Sequence, residues 1–338
     1  MKTLLSTIQA WQAANKKFAI ARVLKTWNAA PRPVGSIMLI SEDQEMAGSV
    51  SGGCVEGAVV KAAQKVLTDG QPQILAFGVS NDDAWTVGLS CGGRIEVLLS
   101  PFLSEDNLIW QGIQQAVTTN QGSIWCTKIG AEIQQEGLVL IDGSIIGDLP
   151  KEIKEQALQA YQARKSHLSE WEREKYFLHV IPKKSQLFLI GAAHLTADLI
   201  QLASGFGFEC IVIDPRGIFA NKTQFERAPD QLFNDYPSEV LPQFELDQDT
   251  YVVTLSHDPK IDDNALEILL KKPVAYIGAL GSRRTQAKRI NRLLEKGFSQ
   301  AEVDRIHGPV GVDINAKTPQ EIALSILAEI VAIKNKDL

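Results

Sequence analysis

This chain is short of the residues that build metal centres and hydrolytic triads. It has five histidines and four cysteines in 338 residues. The cysteines, at 54, 91, 126 and 210, form no C-x-x-C pair and no zinc spacing, so no metal site is expected. There is no Ser-His-Asp order, no H-E-x-x-H and no phosphate loop of the G-x-x-x-x-G-K type. No apolar run approaches the ~18 residues of a membrane span, so no membrane partner is expected. The net charge of −6 lacks the basic excess of a nucleic-acid surface, which argues against DNA or RNA as a partner. Internal repeats and low-complexity tracts are also missing. At the N-terminus, Leu4, Leu5, Ile8 and Trp11 share one helix face and polar residues interrupt them, unlike a signal peptide. Unpaired thiols in such a chain point to a reducing, cytoplasmic setting.

Hydrophobic residues make up 45% of the chain and charged residues 22%, enough apolar material for two ordinary cores. The pattern predicts an α/β protein: a small mixed α/β N-terminal domain over 1–150 and a Rossmann-like doubly wound C-terminal domain over 184–338. The polar, charged stretch between them, 151–183, reads as a helical connector. In the first domain, strands are expected at Phe18–Thr26, Ser36–Ile40, Met46–Val50, Ile74–Val79 and Ile95–Leu99, with a helix over 106–119.

Two loops there set a cysteine beside paired glycines. The first is Gly48-Ser49-Val50-Ser51-Gly52-Gly53-Cys54-Val55-Glu56, and the second is Ser90-Cys91-Gly92-Gly93-Arg94. Paired glycines let backbone approach a ligand closely, and a cysteine adds a soft sulfur. Apolar residues at Val55, Val59, Ala62, Ala63 and Val66, stopped by Gly70, predict a helix starting beside Cys54. Its free N–H groups would favour an anion and the thiolate form of Cys54. One pocket is expected to unite Ser49, Ser51, Gly52, Gly53, Cys54 and Glu56 with Cys91, Gly92 and Gly93. A lone Gly-Gly-Cys is more often a turn with a small buried hydrophobe; the pairing of two favours a site.

The second domain opens with a buried strand, Gln186–Ile190, a glycine turn at Gly191, a helix, and a strand ending at Asp214-Pro215-Arg216. This is the order of a dinucleotide-binding unit. Its G-x-G-x-x-G fingerprint is incomplete, because positions 193 and 196 are Ala193 and Thr196. Asp214 is placed to hold a ribose hydroxyl and Arg216 a phosphate; the plainer readings are a polar strand end and a solvated charge. A second strand–glycine–helix junction, Gly281-Ser282-Arg283, has a capping serine and can bind an anion. His194 and His257, with Asp258 beside it, fall at the ends of predicted strands, where open α/β sheets place ligands. A strand-end histidine is more often structural than catalytic. All these groups are expected to line one cleft.

These motifs together resemble the XdhC/CoxI family of xanthine dehydrogenase accessory factors. The resemblance rests on Arg32-Pro33-Val34-Gly35, Gly48–Glu56, Cys91–Leu99, Tyr276–Arg284, Gly308–Ile314 and Thr318–Ile330. It covers nearly the whole chain. It implies a cytoplasmic maturation factor that holds molybdenum cofactor (molybdopterin) and hands it to a molybdenum hydroxylase client such as xanthine dehydrogenase. It leaves open a nucleotide in the second domain, a homodimer, and the identity of any reacting group. The competing reading is an NAD(P)-dependent oxidoreductase, whose acid–base group would have to be His194 or His257. NAD(P) is the weaker cofactor expectation, since Ala193 and Thr196 crowd the place of a dinucleotide pyrophosphate.

Overall fold

The structure is a computed structural model that describes residues 1–27, 32–78, 94–130, 135–217 and 225–335. It divides into two compact units, Met1–Lys183 and Lys184–Leu338.

The first unit is built on two five-stranded antiparallel sheets. Helix α1 (Lys2–Ala13) leads into β1 (Phe18–Trp27), β2 (Ile37–Ser41) and β3 (Met46–Gly48), followed by α2 (Glu56–Asp69), β4 (Gln73–Phe77) and β5 (Arg94–Pro101). These strands form one sheet in the order β3-β2-β1-β5-β4. Then come α3 (Leu108–Thr118), β6 (Ser123–Ile129), β7 (Glu136–Leu140), β8 (Ile145–Gly147), α4 (Lys151–Gln162), β9 (His167–Trp171) and β10 (Glu174–Ile181). Their sheet runs β8-β7-β6-β10-β9. Period-two alternation in β1 decides the packing. Ala19, Ala21 and Val23 turn toward α2, whereas Phe18, Ile20 and Leu24 join the core shared with the second sheet. Helix α2 stops as read from the sequence, with Gly70 left-handed at its C-terminus.

Residues 151–183 are therefore not a helical connector. After α4 the chain makes a hairpin, and β10 pairs with both β9 and β6 inside the first unit. The turn hides this from sequence. Its two central residues, Glu172 and Arg173, both have positive φ, 47° and 69°, in a two-residue loop that ordinarily selects Asn and Gly.

The second unit is a six-stranded parallel sheet. Its elements are β11 (Gln186–Ile190), α5 (His194–Gly205), β12 (Glu209–Ile213), β13 (Gln231–Phe233), α6 (Pro237–Val240), β14 (Thr250–Thr254), α7 (Pro259–Leu269), β15 (Tyr276–Ala279), α8 (Arg283–Glu295), α9 (Gln300–Val303), β16 (Ile306–His307) and α10 (Pro319–Lys334). The expected doubly wound parallel sheet is present, and its strand order β13-β12-β11-β14-β15-β16 is the 3-2-1-4-5-6 order of nucleotide-binding sheets. Alternation again splits the core. Leu187 and Leu189 face α5 and α10, while Phe188 and Ile190 face α7 and α8. Among the described residues no helix is long and apolar enough to cross a membrane.

Candidate functional site

The first glycine–cysteine loop is organised around the Glu56 carboxylate, with the Ser49 and Ser51 hydroxyls also accepting the Gly52 and Val55 amides. Glu56, the first residue of α2, folds back over the loop that precedes it. Its Oε1 accepts the Ser49 hydroxyl at 2.8 Å and the amides of Val50, Ser51 and Gly52 at 3.3, 2.9 and 3.0 Å. Its Oε2 accepts the Ser51 hydroxyl and the amides of Gly53 and Val55, the last two at 2.9 and 3.2 Å. Gly52 and Gly53, at φ 82° and 123°, supply the left-handed backbone that turns successive N–H groups inward. Partial burial pushes the Glu56 carboxyl up, but the hydrogen bonds led by Ser51 outweigh this and hold it at about 2.

This corrects one expectation. The amides at the start of α2 are not a vacant anion site, because the protein's own carboxylate sits among them. Its negative charge also offsets the positive end of the helix beside Cys54. What the loop leaves open is the backbone of Gly53, around which a Cβ would meet nothing within 4 Å; the Cys54 side chain is partly exposed and packs in part against the apolar core beneath α2. Cys126 and Cys210 differ sharply. Both are buried, and burial pushes their thiols up to about 12 and about 11. Cys91, Gly92 and Gly93, expected to complete the pocket with Cys54, lie outside the described residues.

In the second unit the sequence-predicted groups fall at the carboxyl ends of four adjacent parallel strands. Gly191 follows β11, Asp214 and Arg216 follow β12, His257 and Asp258 follow β14, and Gly281-Ser282-Arg283 follow β15. The order reverses between β11 and β14, where such sheets bind ligands. Gly191 is required there. Its φ is 114°, and a Cβ would come within 2.7 Å of the Ser256 amide nitrogen and 2.8 Å of its Cα. His194 is the first residue of α5 and is exposed, as is His257, itself at φ 60°.

Asp214 and Arg216, expected to meet a ribose hydroxyl and a phosphate, are hydrogen-bonded to each other. Asp214 is wholly buried. Its Oδ2 accepts the Ala192 amide at 2.7 Å and an Arg216 guanidinium nitrogen at 2.7 Å. Its Oδ1 accepts Arg216 Nε at 2.9 Å and the Arg216 amide at 3.0 Å. Burial opposes the charge, but Arg216 and these amides hold the carboxyl below the usual carboxylate range. The Ala193 amide is taken as well, by Thr196 Oγ1 at 3.1 Å, while that hydroxyl donates to the Gly191 carbonyl at 2.6 Å. So the residues replacing the fingerprint glycines tie the turn to itself. Asp214 is engaged with Arg216 instead of facing a ribose, and both alanine amides are occupied. The dinucleotide reading loses two of its usual anchors.

Asp258 caps α7 through the Lys260 amide at 2.9 Å, and Ser282 caps α8 through Thr285. Arg283 is exposed at that helix start. Sequence reasoning missed the network behind these caps. The Ser256 hydroxyl donates to Asp262 at 2.6 Å, Asp262 faces Arg289 at 3.7 Å, and Arg289 donates to the Leu280 carbonyl at 3.0 Å. Burial raises Asp262 and lowers Arg289. The network fixes the strand-end loops, but in sequence its charges look like solvated helix faces.

Comparison with known proteins agrees with both units. The description "XdhC and CoxI family" matches residues 11–78, and "XdhC Rossmann domain" matches 187–330. A Bacillus subtilis protein named as a probable xanthine dehydrogenase subunit is 27% identical over 94% of this chain and 93% of its own length. The Escherichia coli molybdenum cofactor insertion chaperone PaoD is 24% identical over 95% of this chain and 85% of its own. A crystal structure described as a xanthine dehydrogenase from Bacillus halodurans superposes with a TM-score of 0.77 at 26% identity, covering 98% of this chain and 95% of that one.

Proposed function

Because the chain belongs to the XdhC and CoxI family, we propose that it is a cytoplasmic accessory factor that holds molybdenum cofactor and delivers it to a molybdenum hydroxylase of the xanthine dehydrogenase type. The relative named as a molybdenum cofactor insertion chaperone supports this reading over a redox enzyme. The observation that carries it to particular atoms is the placement of Cys54. It is the one cysteine among the described residues that is not buried, and it stands on a loop held rigid from within by Glu56.

The residues suit such a cargo in part. A cysteine sulfur is a soft donor matched to a molybdenum dithiolene, and the open side of Gly53 lets a bulky group approach the backbone. The cargo brings its own metal and sulfur chemistry; the chain's task is to present the thiol and to hold the loop still. Glu56 fills the amide nest, so a phosphate end of the cargo seats elsewhere than residues 49–55.

The test is retention of molybdopterin after gel filtration of full-length protein from molybdenum-replete cells. Cys54→Ser should bind one to two decades more weakly, the value of one charge-assisted contact, about 1.5–3 kcal/mol. Cys210→Ser should match wild type. Equal retention by all three proteins removes Cys54 from the site.

A further inference from the structure

Glycine is out of place at one position of α2. Gly57 stands in the first turn, on the exposed side of the helix. It is not among the residues with positive φ, and a Cβ built on it would meet nothing within 4 Å among the described residues. So neither backbone shape nor crowding within the chain calls for a residue without a side chain there. Glycine also weakens a helix relative to alanine. Space that the fold itself does not require is room for something from outside.

The residues bordering that space give it a direction. Cys54, Gly57, Ala58 and Lys61 follow the i, i+3, i+4, i+7 spacing that puts residues on one helix face. The side carrying Val55, Val59, Ala63 and Val66 is buried against the sheet. Gly57, Ala58 and Lys61 are exposed, and Cys54 partly so. From Cys54 to Lys61 is two turns, about 10 Å. The Lys61 side chain has no ion pair or hydrogen bond among the described residues. The face thus offers a soft sulfur at one end, bare backbone and a methyl group in the middle, and an unpaired ammonium at the other.

This face also supplies what the loop lacks. Glu56 fills the amides of residues 50–53 and 55, so they cannot take the anionic end of a ligand. Lys61 is the first cation along the helix from Cys54. We propose that this face of α2 is the bed for the organic part of the cargo. Gly57 and Ala58 leave room for a flat heterocycle against the helix, and Lys61 receives its phosphate. Gly57 then sets the size of ligand that the face accepts. The proposal rests on the reading of Cys54 as the sulfur contact.

The test uses full-length protein from molybdenum-replete cells and reads two quantities, the pterin retained after gel filtration and the melting temperature. Gly57→Leu fills the bed with a side chain suited to a helix. It should lower retention about tenfold or more while melting no lower than wild type. A glycine kept for the fold would not show that combination. Lys61→Gln should lower retention about fivefold at low salt and by less as salt rises, because an exposed pair is screened. Lys65→Gln, one turn farther along the exposed side, should retain pterin as wild type does. Unchanged retention in Gly57→Leu or in Lys61→Gln overturns the proposal. So does an equal loss in Lys61→Gln and Lys65→Gln, which would mean general attraction, or a Gly57→Leu protein that melts lower, which would mean the glycine serves the fold. If Gly57→Leu and Lys61→Gln retain pterin while Cys54→Ser loses it, the bed is wrong and the sulfur contact stands. If Cys54→Ser retains it too, both fall.

Discussion

Glu56 Oε2 accepts the amide of Gly53 at 2.9 Å, so the carboxylate that opens α2 also closes the loop carrying Cys54. Loop and helix start thus form one self-contained unit. The sequence offers the amides as a ligand site, and the structure uses them to hold the loop carrying Cys54 in shape.

Removing that carboxylate should loosen the loop and make stability less dependent on acid. Glu56 is partly exposed, so we expect Glu56→Ala to cost about 1.5 kcal/mol, the lower end for hydrogen bonds to a charged group. The folded carboxyl titrates at about 2 against an ordinary 4.5. A depressed carboxyl contributes stability that is complete above 4.5 and is lost as pH falls toward 2. Urea unfolding at pH 7 and at pH 2.5 should show the difference between wild type and variant shrinking with acid. A difference independent of pH would contradict this account.

Thiol reactivity should single out Cys54. In a Cys91→Ser background, native protein should react with a thiol reagent at Cys54, while Cys126 and Cys210 should react only after denaturation. Rapid native labelling that persists in Cys54→Ser would show the assignment to be wrong.

Asp214 should matter for the turn and not for a dinucleotide. It is buried and joins the Ala192 amide to Arg216. Asp214→Ala strands those donors and should lower stability by about 2–3 kcal/mol. Calorimetry should show no micromolar NADH or NADPH binding by wild type. Tight binding that Asp214→Ala abolishes would restore the ribose role and the oxidoreductase reading with it.

The hairpin turn of the second sheet carries avoidable strain. Glu172 and Arg173 both occupy the left-handed region. Replacing them together by Asn and Gly should raise stability by about 1 kcal/mol, since these residues suit a two-residue turn of this hand. An unchanged denaturation midpoint would mean the present residues cost nothing there.

Much of the fold is readable because it follows period and punctuation. The run Gln186–Ile190, its glycine turn and the helix behind it announce a parallel sheet, and the strand order agrees. The stop of α2 at Gly70 is equally plain. Other features depend on side chains that sequence patterns treat as solvated. Glu56 reads as part of a ligand pocket, yet it fills the cradle its own loop builds. Asp214 and Arg216 suggest two ligand contacts, yet each is the other's partner. The β9–β10 hairpin has neither Asn nor Gly at its turn, so its charged residues read as helix. Arg22, wholly buried, interrupts the face made by Phe18, Ile20 and Leu24, and that break in an apolar stripe is its one sequence signal.

The strand order of the second unit also bears on how that unit acquires its structure. β11 meets β12 through one short helix, but it meets β14 only after β13 and α6 have intervened, with Gln186 opposite Thr250. The second pairing closes a much longer loop and carries the larger entropic cost. The seam at which the crevice opens is thus the contact expected to form late. Substitutions at the β11–β14 border, such as Val253→Ala, should then speed unfolding more than they slow folding, while Ile211→Ala in β12 should chiefly slow folding. Stopped-flow chevrons of the two variants would read this directly, and a reversed pattern would place the seam early on the pathway.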